Sequence, residues 1–202
     1  MSNCIELVGI GPGDLKYLTE EAMDTIIRAD IIISFGRVAN SISDLREDIK
    51  IVRKIEDIKR FLEEENEKKI VILASGDPCY YGINDYLIRN NISIDRVITG
   101  ISSLQYMMSR LKRNYNDIIS MSFHGRDIDF SRFEKGRSYF LLTDKINTVD
   151  SISKGLFDRE FRGKMTIGAN LSYEDELIEE KNIGDRFGLF NLSVVVVDID
   201  VD

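Results

Sequence analysis

The sequence predicts a two-domain α/β protein: a parallel-sheet domain over residues 1–114 and a smaller α+β domain over 115–202. Three observations lead there. Short β-rich runs alternate with helical patterns through the first half. The strands of that half are apolar nearly throughout, as strands covered on both faces are. From about Asn114–Asp117 onward the strand spacing turns irregular and glycine turn signals grow more frequent, with no Pro/Ser-rich linker at the change.

Ile5–Val8 is the first predicted strand. Thr19 is placed to cap the first helix, with Glu20 and Glu21 in the turn where the helix dipole favours acids, and Ala22, Ile26 and Ile27 on one apolar face. Ile31–Ser34 and Ile49–Val52 are the next strands. Ile55, Ile58 and Leu62 repeat the helical spacing and run into the solvated charge run Glu63–Lys69. Ile70–Ala74 is the fourth strand, and Tyr86 and Leu87 continue in a helix. Arg96–Thr99 closes the set before a helix over Leu104–Leu111. In the second half, strands are predicted at Ile118–Phe123, Ser138–Leu142, Met165–Gly168 and Val194–Ile199, and helices over 147–159 and 173–181. Gly125, Gly136, Gly163 and Gly188 mark its turns.

Composition narrows the function. With 27 basic and 35 acidic residues among 202, the net charge is −8. That disfavours broad binding to nucleic acid or anionic membrane, which depends on neutralising phosphates. It leaves room for an anionic small molecule held by a few basic groups and backbone N–H donors. Cys4 and Cys79 make no disulfide framework or zinc pattern, and the single histidine, His124, excludes a multi-histidine metal centre, so no protein-bound metal is expected. No basic-then-apolar leader opens the chain and no apolar run approaches ~18 residues, so the expected compartment is the cytoplasm.

The only prolines, Pro12 and Pro78, sit in glycine-rich loops that directly follow predicted strands. Proline fixes φ and glycine permits unusual φ, so both loops are suited to hold a defined backbone shape. Gly9-Ile10-Gly11-Pro12-Gly13-Asp14 is spaced GxGxG, which is not the GxGxxG of a dinucleotide site. Asp30 precedes its strand instead of ending it, and Asp14-Leu15 stands where a phosphate-binding loop needs lysine and a hydroxyl residue. A tight strand-to-helix turn is an equal reading. Ser75-Gly76-Asp77-Pro78-Cys79-Tyr80-Tyr81-Gly82 places an aspartate at a strand's carboxyl end, able to accept from a hydroxyl or ammonium group or to cap a helix. Cys79 has no basic neighbour to activate it and reads as a packing residue. Thr99-Gly100-Ile101-Ser102-Ser103 opens a helix whose free N–H groups and hydroxyls suit a carboxylate or simple capping. In a parallel sheet, three such loops lie along one edge. In the second half, Ser122-Phe123-His124-Gly125-Arg126 and Ala169-Asn170-Leu171-Ser172-Tyr173-Glu174-Asp175-Glu176 also follow strands. Ser172 with Asp175 is spaced like a capping box, its acids in a helical first turn.

GIGPGD at 9–14, SGDPCYYG at 75–82, GISS at 100–103 and NLSYEDE at 170–176 together resemble the tetrapyrrole methylases, the class III S-adenosylmethionine-dependent methyltransferases, in motif order and over nearly the whole chain. The resemblance implies a two-domain fold, with a parallel-sheet N-terminal domain, a smaller mixed-sheet C-terminal domain and the cofactor in the cleft, usually as a homodimer. It implies that S-adenosylmethionine, leaving as S-adenosylhomocysteine, is contacted by Gly9, Pro12, Asp77, Tyr80, Ser102 and Ser103, and from the second domain by Leu142, Asn170 and Leu171. It implies that Gly11, Gly13, Arg37 and Arg126 face the substrate, and that Asp14 or His124 assists proton removal. Within the family, the SFHGR segment at 122–126 and the compact length are similar to the branch that methylates carbon 5 of cobalt-precorrin-7 in cobalamin synthesis. The chain ends at Asp202, so a decarboxylating C15-methyltransferase is expected to be a separate partner. Three alternatives stay open: another tetrapyrrole carbon, a non-tetrapyrrole substrate, and a non-catalytic module that binds the cofactor or a corrinoid.

Overall fold

The computed structural model describes residues 3–123 and 125–202. Its contacts divide the chain into two units, Met1–Ser103 and Leu104–Asp202.

In the first unit, β1 (Cys4–Gly9), β2 (Ile31–Phe35), β3 (Ile49–Val52), β4 (Lys69–Ala74) and β5 (Arg96–Ile98) form an all-parallel sheet in the order β3-β2-β4-β1-β5. All five expected strands are present, each within one residue of its predicted ends. Alternate side chains feed two cores, one per face. Val8, Val71 and Leu73 pack with Ala22 and Ile26, while Leu7, Ile70 and Ile72 pack with Ile58 and Leu87. Helix α1 (Glu20–Ile27) is capped as expected, Thr19 Oγ1 accepting from the Ala22 N–H at 3.2 Å. Its buried face is Ala22, Thr25 and Ile26. Ile27, expected on that face, is 50% exposed, because one residue beyond Ile26 turns about 100° around the helix. Helix α2 (Gly36–Ser41) has no counterpart in the sequence pattern; it is six residues long and Phe35 gives it no side-chain cap. Helices α3 (Glu56–Glu64), α4 (Asn84–Arg89) and α5 (Ser103–Arg110) follow the remaining helical patterns.

The second unit is a mixed sheet of β6 (Ile119–Ser122), β7 (Ser138–Leu142), β8 (Gly163–Ala169), β9 (Leu177–Asn182) and β10 (Ser193–Ile199), ordered β6-β7-β10-β8-β9. Among the described residues, only the β6–β7 pair of this sheet is parallel. The valine run Val194–Val197 is its buried central strand. Helix α6 (Val149–Phe157) covers one face through Val149, Ile152 and Leu156.

One expectation is corrected here. The helix predicted over 173–181 does not form; Leu177–Asn182 is an edge strand paired with β8 from Ala169↔Leu177 to Lys164↔Asn182. Its acids and lysine suit an exposed edge, which charge protects from further pairing. The Ser172–Asp175 capping box falls with it, since no helix follows. Helix α5, expected in the first domain, belongs to the second unit apart from its first residue, Ser103. Met107 lies so close under β8 that a Cβ on Gly168 would meet its sulfur at 2.6 Å. The two units are therefore nearly equal in length.

Just beyond α5, Arg113 donates to both carboxylate oxygens of Asp198, and Ser138 Oγ donates to Oδ1 at 2.5 Å. Burial opposes the charge, but the guanidinium and hydroxyl outweigh it and hold the Asp198 carboxyl below its ordinary value. Stability from such a group is present above the ordinary carboxylate range and is lost as pH falls through the lowered folded value. Asp198→Asn is expected to lower stability by about 1 kcal/mol at neutral pH, given the pair's partial exposure. In urea titrations the gap from wild type should close under strong acid; a gap independent of pH counts against this role.

Candidate functional site

The three glycine loops of the first unit follow β1, β4 and β5, which are adjacent in the sheet, so they meet at its carboxyl edge. Such an edge is where open α/β sheets bind ligands. The loops are fused through backbone. The Gly11 N–H donates to Gly76 O at 3.2 Å, the Gly76 N–H donates to Gly11 O at 2.8 Å, and the Ile10 N–H donates to Ala74 O at 2.9 Å. Gly11 and Gly76 hold φ of 76° and 67°, the left-handed region that favours glycine. A Cβ on Gly9 would meet Gly76 O at 2.6 Å and Gly100 N at 2.7 Å. No side chain fits between these strands' ends, which leaves a cradle of main chain.

Around the cradle stand polar groups. Asp77 Oδ1 accepts from the Cys79 N–H at 2.7 Å, and Oδ2 accepts from Thr99 Oγ1, which joins the second loop to the third. Asp77 thus shapes its own turn instead of capping a helix. Tyr80 follows it, its ring meeting Tyr81 edge-on at 5.1 Å. Ser102 is buried, and Ser103 opens α5. Pro12 and Gly13 are buried beside Gly11. Cys79 is exposed, not packed as expected; desolvation of its thiol and then the Asp77 charge push its pKa up, which leaves it a poor nucleophile. Asp14 accepts from the Lys16 N–H at 3.0 Å and pairs with Lys16 Nζ at 2.6 Å. The Lys16 hydrogen bonds hold its carboxyl below the usual range, which weakens it as a proton acceptor. Arg37 is exposed on α2, which follows β2 at the same carboxyl edge.

In the second unit, β6, β7 and β8 run the same way, so the segments after them share one edge. Leu142, Asn170, Leu171 and the exposed Arg126 lie there. His124 lies outside the described residues. Two residues that the sequence reading missed shape this edge. Asp144 Oδ2 accepts from the Gly125 N–H at 2.7 Å, and the buried Asn147 donates from Nδ2 to Phe123 O at 2.6 Å and Arg126 O at 2.8 Å. Glu176 is a third. Its carboxylate accepts from Tyr106 Oη at 2.5 Å, the Ser172 N–H at 2.7 Å and Arg110 Nε at 2.8 Å. Burial would raise its pKa, but these donors outweigh burial and lower it.

Residues 5–185 match the family model described as Tetrapyrrole (Corrin/Porphyrin) Methylases. The chain belongs to this family. As a tetrapyrrole methylase it is 31% identical over 192 residues to a Methanocaldococcus jannaschii protein named probable cobalt-precorrin-7 C(5)-methyltransferase, covering 89% of each chain. It is 30% identical over 199 residues to the Salmonella typhimurium cobalt-precorrin-7 C(5)-methyltransferase, covering 96% of this chain and 98% of that one. The solved structure of the Thermus thermophilus uroporphyrin-III C-methyltransferase complexed with S-adenosyl homocysteine has the same fold, with a TM-score of 0.78 at 20% identity over 96% of this chain and 97% of that one. Among the described residues, no helix of this methylase is long and apolar enough to cross a membrane.

Proposed function

We propose that this tetrapyrrole methylase is an S-adenosylmethionine-dependent C-methyltransferase of cobalamin biosynthesis that methylates carbon 5 of cobalt-precorrin-7. The observation that carries the reading is the similarity, at about 30% identity and nearly end to end, to two proteins named for that reaction.

The first unit's donor set fits the cofactor. Main chain at Gly9, Gly76 and Gly100 packs too closely for a Cβ added at Gly9 or Gly100 and fixes the loop ends beside the buried Pro12, and the Asp77 carboxylate, Tyr80, Ser102 and Ser103 supply the polar groups that an amino acid and a ribose need. S-adenosylmethionine supplies an electrophilic sulfonium methyl. The protein's task is then to bind, orient and exclude water, and positioning of this kind accounts for up to ~7–11 kcal/mol of a barrier. No strong protein nucleophile is needed, in keeping with the raised Cys79 thiol.

Gly11 and Gly13 would present backbone to the ring, and the exposed Arg37 and Arg126 would meet its carboxylates. That local charge offsets a net charge of −8. Of the two residues assigned to proton removal, His124 is preferred, because Lys16 keeps Asp14 a weak base. The same reading includes a homodimer in the cytoplasm and a separate decarboxylating C15-methyltransferase.

The test is methyl transfer from labelled S-adenosylmethionine to a panel of cobalt-corrinoid intermediates, followed by mass spectrometry and NMR. One methyl added at carbon 5 of cobalt-precorrin-7 is the expected result. Transfer to another intermediate moves the substrate within the family. Binding of S-adenosylhomocysteine with no transfer to any corrinoid rejects the reading.

A further inference from the structure

We infer that Glu176, together with Tyr106 and Arg110 of α5, is a positioning set that fixes the Asn170–Ser172 backbone for cofactor binding, an inference that rests on the function proposed above. Asn170 and Ser172 hold φ of 48° and 71°, a left-handed conformation that a side chain disfavours, with Leu171 buried between them. Such a conformation persists only where its surroundings over-determine it. Here they do. The Asn170 N–H donates to Leu192 O at 3.0 Å, Asn170 Nδ2 donates to Asp175 at 2.6 Å, and the Ser172 N–H is taken by Glu176 at 2.7 Å.

Glu176 is itself aimed from the other side. Tyr106 and Arg110 lie four residues apart, on one face of α5, and they grip separate carboxylate oxygens, Oε2 and Oε1. Against the same helix, a Cβ on Gly168 would meet Met107 Sδ at 2.6 Å and Leu171 Cδ2 at 2.8 Å. The helix that Ser103 opens and the turn that carries Asn170 and Leu171 are thus joined by one carboxylate. These bonds fix the left-handed turn that carries Asn170 and Leu171, the residues that the proposed function assigns to the cofactor.

Tyr106→Phe removes one hydroxyl and keeps the ring, and Glu176→Gln keeps the side chain's shape. Each is expected to weaken S-adenosylhomocysteine binding, read by calorimetry, by roughly three- to tenfold, the loss of one hydrogen bond. The KM for S-adenosylmethionine should rise by the same factor with kcat nearly unchanged. In the ligand-free protein, the Ser172 amide should exchange faster in both variants. The inference is overturned if both variants melt earlier yet bind S-adenosylhomocysteine as wild type does, for then the set only stabilises. A wild-type protein that binds no S-adenosylhomocysteine would overturn the proposed function, and this inference with it.

Discussion

Gly100→Ala is expected to destabilise the first unit and to remove S-adenosylhomocysteine binding in the same step. The added methyl would lie 2.2 Å from Gly76 O, 2.8 Å from Gly9 C and 2.9 Å from Gly11 N. All three neighbours are backbone, and two of them, Gly11 and Gly76, are locked to each other by paired hydrogen bonds. No flexible side chain can move aside, so the clash is relieved only by separating the carboxyl ends of β1, β4 and β5. Overpacking of this kind costs about 1–3 kcal/mol, and more where main chain must shift. At roughly 2–4 °C per kcal/mol for a chain of this size, the melting midpoint should fall by about 5 °C or more. Gly36→Ala is the matched control. Its Cβ would meet only Ile51 Cγ2, at an ordinary 3.8 Å, in a helix that favours alanine. Equal melting of the two variants would show that the three loops are not fused as described.

That junction was legible in the sequence because glycine and proline act on the backbone directly. Gly9, Gly11, Gly76 and Gly100 announce loops that no other residue can build, and strand–helix alternation puts those loops on one edge before any coordinates exist. What alternation does not give is the strand order that makes β4, β1 and β5 neighbours. The second unit was less legible because its organising contacts are single side chains reaching far along the chain. Asn147 reaches back to Phe123, and Glu176 back to Tyr106 and Arg110. None of these has a period or a spacing to announce it. The 173–181 segment misled for a related reason. Glu174, Asp175, Glu176, Glu179 and Glu180 suit a helix's first turns and exposed face when read alone, but β8 offers an open edge, and pairing along it overrides local preference. The same acids then took other duties: Asp175 holds Asn170, and Glu176 holds Ser172.

Asp77→Ala is expected to cost the most in cofactor affinity of any side chain at the first unit's edge. The carboxylate takes the Cys79 N–H within its own loop and the Thr99 hydroxyl from the next, so its removal frees both loops at once. Hydrogen bonds to a charged group contribute about 1.5–3 kcal/mol, which corresponds to roughly 10- to 150-fold in affinity. Two further variants separate shape from charge. Asp77→Asn keeps a carbonyl oxygen for the Cys79 N–H and gives up the charge, whereas Thr99→Val keeps the charge and breaks the link between loops. If the carboxylate acts by shaping the cradle, Asp77→Asn retains most of the affinity and Thr99→Val loses several-fold. If it acts as an anion against the ligand, the order reverses, because each carboxylate oxygen still has a lone pair free of the loop's own bonds. The two oxygens' internal partners favour the first order. Calorimetric titration of S-adenosylhomocysteine into all three variants decides it, and wild-type affinity in Asp77→Ala would remove this loop from the cofactor site altogether.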